Sequence, residues 1–333
     1  MLKKTIYYNK YSFFIITSFE IIAYILFLCI LIKEDNMNTF WPVYKNLETE
    51  FLKITYYIHI DNEQLSVYSS KIAELLLRTV VEIESISKLL YAKNGGEKTD
   101  FIKYDEDAIK LLKQKWLIDK KTILITLPNC FISVNELYPF IKDTQRTGKS
   151  NMTYSWNNAY QNIKHDRAKY LKDANVKNLI DGMAALFLLN LYYSDLTFDL
   201  EKDVKGLTLS PNMGSKIFSI IIDKGNHDGK GNYIKTIDFD KSVYYINHTE
   251  ATGKIFFDSM KDYLRKADEL AHQHPKVIEF LNNPDPLILQ KDNWLWEVLG
   301  QEEYINVMSH ASRITEIKSE QLRYEARLNK HNF

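Results

Sequence analysis

The segment at about 176–193 constrains the fold of this chain more than any other. Leu179, Met183, Leu186, Phe187 and Leu191 recur three and four residues apart, so a helix there carries a broad apolar face. Asn175 stands where its side chain can cap the first turn. So wide a face is hidden from water only by other helices packed round it, and the chain supplies them. Residues 41–60 place Leu47, Phe51, Ile54 and Ile58 at helical spacing. Residues 66–92 place Ile72, Leu75, Leu76, Ile83, Ile86 and Leu90 likewise, and stop at Asn94-Gly95-Gly96, a C-terminal signal. A shorter amphipathic helix is expected at 105–116, and a strand at 122–126 ended by Pro128. Residues 143–151 are polar, contain Gly148 and read as a loop.

The pattern changes after Pro211. Residues 216–222 and 233–237 are rich in β-formers and flank a glycine-containing stretch from Gly225 to Asn232, which predicts a hairpin with a long tip. Residues 243–246 read as a third strand, 249–271 as helix, and 294 to about 329 as mostly helical. The expected fold is mainly α, a helical bundle at 37–200 followed at 201–333 by a small β-hairpin insertion and further C-terminal helices. The 333 residues suffice for one large domain or two modest ones. Lys and Arg number 43, as do Asp and Glu, so no whole-protein field draws in a polyanion, and any such site must be a local patch.

The candidate patch is Trp156-Asn157-Asn158-Ala159-Tyr160-Gln161-Asn162-Ile163-Lys164-His165-Asp166-Arg167. Ser155 is placed to cap a helix there. On that helix Trp156, Tyr160 and Ile163 share one side, and Asn158, Asn162, His165 and Lys169 share a neighbouring one. A neutral imidazole can donate or accept a proton near pH 7. Lys164, Arg167, Lys169 and Lys172 make the surroundings basic, so the polar side suits a phosphate-bearing ligand. His165 and Arg167 are about 200° apart on an ideal helix. They meet one ligand only if the helix ends between them or a second chain supplies the partner.

Other features point less sharply. Glu74, Arg78, Glu82 and Ser85 line one side of the 66–92 helix. They read as surface ion pairs, or else Arg78 or Glu82 reaches across to support His165. Glu269, His272 and His274 read as a surface helix end rather than a metal set, and Asn226-His227-Asp228-Gly229 as turn chemistry. No metal or cofactor is expected. Cys29 and Cys130 are too few for a disulfide framework, which suits a reducing, cytoplasmic setting. Residues 11–32 are apolar apart from Glu20 and flanked by lysines. They read as an inner-membrane anchor, as a stretch upstream of a true start at Met37, or as a buried helix. A membrane enters the account only if residues 1–36 are translated.

A polar helix led by an aromatic and closed by a His, within a bundle, resembles the HEPN superfamily. That superfamily's motif is an Arg, a polar residue, four to six residues, then His. Asn158, six residues and His165 match the polar-to-His spacing, while Asn157 stands at the Arg position. Residues 160–167 look more like variants with a Tyr-x-Asn-x-Lys-His-Asp-Arg pattern. The resemblance covers 37–194. It implies an α-helical bundle, frequent dimerisation, and RNA as target in bacterial toxin–antitoxin and phage-defence systems. In active members the Arg and His serve metal-independent cleavage by the ribose 2′-OH. Carried over, His165 is the acid–base residue. Our reading adds Arg167 and Lys164 as phosphate contacts, Asn158 and Asn162 as orienting groups, and Trp156, Tyr160 and Lys169 on the substrate side. The expected function is an RNA-directed factor, either a metal-independent ribonuclease or a non-catalytic scaffold for RNA, a nucleotide, or a protein partner such as an antitoxin. A membrane-anchored helical protein is the third reading.

Overall fold

The computed structural model describes residues 38–227 and 233–331. The apolar 11–32 segment, the start reading at Met37, Cys29 and the tip of the 225–232 turn lie outside them. Helix accounts for 55% of the residues and strand for 13%, spread over several small sheets. The architecture is therefore an α/β mix rather than the pure helical bundle with one hairpin that periodicity predicts. The chain forms two compact units. The first takes residues 38–114, Leu127–Asp195 and Ser215–Phe218, and the second takes Lys115–Thr126, Leu196–Gly214 and the described residues after Phe218.

The helices in chain order are α1 (Phe40–Thr55), α2 (Ser70–Lys93), α3 (Ile109–Trp116), α4 (Ser155–His165), α5 (Arg167–Tyr170) and α6 (Val176–Ser194). α7 (Glu250–His272), α8 (Pro275–Asn282), α9 (Pro286–Leu289), α10 (Trp294–Leu299) and α11 (Gln301–Ile314) follow. In the first unit α6 is the central element. Its residues from Met183 to Leu189 are all fully buried, which is what a helix apolar on every side requires. Asn175 caps it, accepting from Asn178 N at 3.0 Å. α2 packs along it. Gly182 marks a close point, where an added Cβ would sit 3.4 Å from Leu76 and 3.5 Å from Trp156. Ser69 caps α2 by accepting from Ile72 N at 3.2 Å, so the helix starts later than the 66 expected from pattern. A π-helical turn, Tyr104–Ala108, precedes α3.

α1 buries Phe40, Tyr44, Leu47, Phe51 and Ile54, and with them Glu48. Glu48 Oε1 accepts from Ser215 Oγ (2.6 Å), Lys216 N (2.7 Å) and Tyr44 OH (3.2 Å), while Oε2 pairs with Lys45. Burial alone would raise the Glu48 pKa. The donors of Lys45, Ser215 and Lys216 outweigh it and hold the carboxyl below its usual value.

The second unit holds a four-stranded sheet in the order Phe198–Glu201, Tyr324–Leu328, Tyr244–His248, Ile222–Asp223. Tyr244–His248 pairs antiparallel with Tyr324–Leu328 and parallel with Ile222–Asp223. Two expectations are corrected here. Helix stops at Ile314, and Tyr324–Leu328 is an inner strand with Ala326 and Leu328 buried. The hairpin is short, Asn226–His227 against Tyr233–Ile234, because Ile222–Asp223 is taken into the larger sheet. Gly225 is required before it. Its φ is +56° and a Cβ would lie 2.2 Å from the Tyr233 ring. α7, capped by Thr249, packs with α8, α10 and α11 round Ala271, Val277, Leu299 and Val307. Among the described residues no helix is long and apolar enough to cross a membrane.

Lys121 is the odd residue of this unit. It is fully buried, and its Nζ has no hydrogen-bond partner among the described residues. Burial pushes its pKa down to about 7, against a smaller opposing pull from Asp240.

Two predictions follow from these buried charges. Glu48→Ala costs about 3–5 kcal/mol in urea unfolding at pH 7, because it removes a buried acceptor shared by Ser215 Oγ, Lys216 N and Tyr44 OH and breaks the ion pair with Lys45. The folded pKa of Glu48 is depressed, so its contribution is complete above the unfolded value near 4.3 and fades as pH falls through the folded one. A mutant as stable as wild type at pH 7 contradicts this. Lys121 has the opposite sign. Its pKa is lowered on folding, so wild-type stability rises with pH between about 7 and about 10.4. Lys121→Met is therefore stabilising by the order of 4 kcal/mol below pH 7, with the gain shrinking across that window. A pH-independent difference sinks the assignment.

Candidate functional site

Tyr154 stands at the N-cap of α4, in extended conformation and without a side-chain cap bond. Ser155, expected as the cap, is the first helical residue, and its Oγ donates to Asp181 Oδ2 at 2.9 Å. Trp156, Tyr160 and Ile163 are buried on one side, as their spacing predicts. Trp156 Nε1 donates to Pro139 O at 2.8 Å, and its ring stacks on Tyr154 at 5.2 Å and 5°. Both rings are thus core, not substrate surface.

Asn157 and Asn158 are bonded within the protein at both ends of the amide, and Asn162 through its Nδ2. Asn157 is buried; its Oδ1 accepts from Tyr104 OH at 2.5 Å, and its Nδ2 donates to Thr153 Oγ1 (3.1 Å) and Asp105 Oδ2 (3.3 Å). The Tyr104 phenol is correspondingly raised, by burial first and then by Asp105. Asn158 Oδ1 accepts from Thr147 N at 2.9 Å, and its Nδ2 donates to Thr147 Oγ1 at 3.2 Å. Asn162 Nδ2 donates to the same Oγ1 at 2.8 Å and to Asp173 Oδ2 at 2.7 Å. Thr147 therefore joins two consecutive turns of α4 to the segment expected as a plain loop. That segment is a small hairpin, Thr144–Gln145 against Met152–Thr153, with Gly148 at φ +72° in its tip. Asp173 ties the stretch after α5 to the same point.

α4 ends at His165. Asp166 leaves the helix at φ −149°, ψ 82°, and its Oδ1 caps α5 by accepting from Lys169 N at 3.1 Å. The helix thus ends between His165 and Arg167, the condition for the two to face one ligand. His165 is exposed and has no hydrogen-bond or ion-pair partner among the described residues, and Lys164, Arg167 and Lys169 are exposed beside it. Arg78 and Glu82 are not joined to it: Arg78 pairs with Glu74 at 4.0 Å, and the Glu82 carboxyl is raised by burial and faces Arg78.

Sequence reasoning missed three of the seven cations, Lys142, Arg146 and Lys149. From Lys142 to Asp173 the chain carries seven Lys and Arg (Lys142, Arg146, Lys149, Lys164, Arg167, Lys169, Lys172) against three Asp, a net of +4. Each Asp is spent on hydrogen bonds: Asp143 to Thr144, Asp166 to Lys169 N, Asp173 to Asn162. None of the seven cations forms an ion pair with a carboxylate among the described residues. Elsewhere in this unit Lys45, Lys53, Lys71, Arg78, Lys88, Lys98, Lys103 and Lys177 do, while among the described residues Lys93, Lys110 and Lys216 do not. Lys142, Lys164 and Lys169 instead lie over the Tyr154, Tyr160 and Tyr170 rings at 5.4, 5.3 and 4.9 Å. The C-terminal end of α4 has partial negative charge, so an anion here is held by side chains and not by the helix end.

Among the described residues no group of His, Cys, Asp and Glu could hold a metal. His272 pairs with Asp268 and His274 with Glu303, and burial raises the Cys130 thiol. No family model, curated protein or solved structure matches the chain.

The amide network has a direct consequence. Asn162→Ala removes two bonds and strands Asp173, costing about 1–3 kcal/mol. Trypsin then cuts after Arg146 and Lys149 faster than in wild type. Equal cutting rates in the two proteins contradict the bracing role.

Proposed function

We propose that the chain binds RNA through the cations of α4, α5 and the 142–153 hairpin, as a HEPN-like scaffold that does not cleave. One observation carries the reading: seven cations with no carboxylate ion pair lie between Lys142 and Lys172, on stretches that Asn158, Asn162, Thr147 and Asp173 tie together, in a chain whose charges balance overall. Unpaired cations at fixed positions attract phosphates and release condensed counterions on binding. What favours binding over cleavage is Asn157. It stands where the resemblance needs an Arg, and it is buried and bonded to Tyr104 and Thr153. A role in defence or toxin–antitoxin pairing, with a second copy or an antitoxin as partner, belongs to this proposal through the resemblance alone.

A second reading, a metal-independent ribonuclease, is favoured by His165, which is exposed and unengaged beside Arg167 across the helix break. There His165 moves the 2′-OH proton, and Arg167 and Lys164 hold the phosphate.

Both readings meet one experiment on the full-length protein. A labelled single-stranded RNA binds with an affinity that falls steeply with salt. Arg146→Ala and Lys172→Ala each reduce the log–log salt slope by about 0.7. Total cellular RNA incubated with the protein in EDTA stays intact. Cleavage in EDTA that is lost in His165→Ala replaces the scaffold by the ribonuclease. Absence of salt-sensitive RNA binding overturns both.

A further inference from the structure

The first unit carries a second surface that the cation cluster does not explain. The C-terminal end of α1 and the start of α2 enclose an open groove of about 800 Å³, within the size range of ligand sites. Leu52, Ile54 and Ile58 supply apolar lining. Tyr56 and Tyr57 stand at it 87% and 84% exposed, their rings edge to face at 5.6 Å. Two adjacent aromatics left so open lose the burial that usually holds such rings in place. The local charges are mutually satisfied, because Glu50 takes Lys53 at 2.6 Å and Lys71 at 3.1 Å. The groove is therefore apolar, aromatic and nearly neutral, which suits the flat face of a nucleobase and not a phosphate.

Its position supplies the charge it lacks. Ser69 lines the groove, and the preceding residue, Tyr68, forms a β-bridge with Asn175. Val176 N donates to Val67 O at 2.9 Å, and Asn175 Nδ2 to Lys172 O at 3.5 Å. The rim of the groove at Ser69 is thus linked through Tyr68 and Asn175 to the backbone at Lys172, whose neighbour Asp173 is bonded to Asn162.

We propose that this groove takes the unpaired bases of a single-stranded RNA whose phosphates lie on the 142–172 cations, with Tyr56 and Tyr57 as the stacking platform. The proposal rests on the RNA-binding reading and adds that the RNA is single-stranded. In a duplex the base faces are stacked and cannot reach the two rings.

The test compares a fluorescent 15-nucleotide RNA, single-stranded and annealed to its complement, on full-length wild type, Tyr56→Ala, Tyr57→Ala, Tyr57→Trp and Lys172→Ala. Both tyrosines are exposed, so the folded state survives their removal, and circular dichroism checks it. Each Tyr→Ala is expected to weaken the single strand about tenfold or more without changing the salt slope. Tyr57→Trp retains the affinity, and Lys172→Ala lowers the slope. Wild type prefers the single strand to the duplex. Tyr variants that bind both RNAs like wild type, while Lys172→Ala weakens them, overturn the base-stacking proposal and leave the RNA-binding reading standing. No binding by wild type overturns both. A homodimer seen by light scattering without RNA and lost in Tyr56→Ala assigns the groove to a second copy and also overturns the proposal.

Discussion

The hydrogen bonds that meet at Thr147 are the constraint on which the site depends. Asn158 and Asn162, one turn apart on α4, hold the backbone and hydroxyl of a single hairpin residue, and Asn162 also holds Asp173. Two stretches of chain are fixed to one helix face by four side chains. Asn158, bonded inside the protein at both ends, has nothing left for a ligand, and Asn162 spends its amide N–H groups on the protein. The same bonds engage Asp173, and Asp166 caps α5. The carboxylates of this face bond to neutral donors, and its basic character follows from an excess of cations, seven against three.

The rest of the first unit makes that arrangement stiff. α4 is anchored from below by Trp156 and Tyr160, and from the side by Asn157, which the π-helical turn meets through Tyr104. Lysines resting on tyrosine rings lose less freedom on binding an anion than lysines in open solvent. The Glu48 knot achieves a similar end elsewhere, where one buried carboxylate fixes Ser215–Phe218 to α1. In each case a polar side chain reaching a distant segment sets the local geometry.

Such long-range bonds explain what was and was not legible beforehand. The apolar face of α6, its Asn175 cap, the stop of α2 at Asn94-Gly95 and the buried side of α4 all follow from spacing within one helix, and each can be read locally. The partners of Asn158 and Asn162 are 11 or 15 residues away in a polar stretch with no periodicity. An amide suited to a ligand is equally suited to a hairpin threonine, so residue type could not separate the two. Glu48 reads as an ordinary surface charge three residues from Lys45, and only Ser215, 167 residues on, reveals it as core. The strand Tyr324–Leu328 was hidden by Glu325 and Arg327, an ion pair on one strand face that resembles a charged helical tail. Tyr56 and Tyr57 fall within the 41–60 stretch whose spacing predicts helix, and their exposure just past its end at Thr55 is a property of the fold.

The central claim is that the Thr147 network holds the cations where a polyanion meets them. A double-mutant cycle tests it most directly, with RNA affinity measured at fixed salt for Asn162→Ala, Arg146→Ala and the double variant. If the network positions Arg146, losing the arginine matters little once Asn162 is gone. The cycle then shows a coupling of about 1 kcal/mol or more. Additive losses would mean that Arg146 acts without the bracing amide, and would contradict the account.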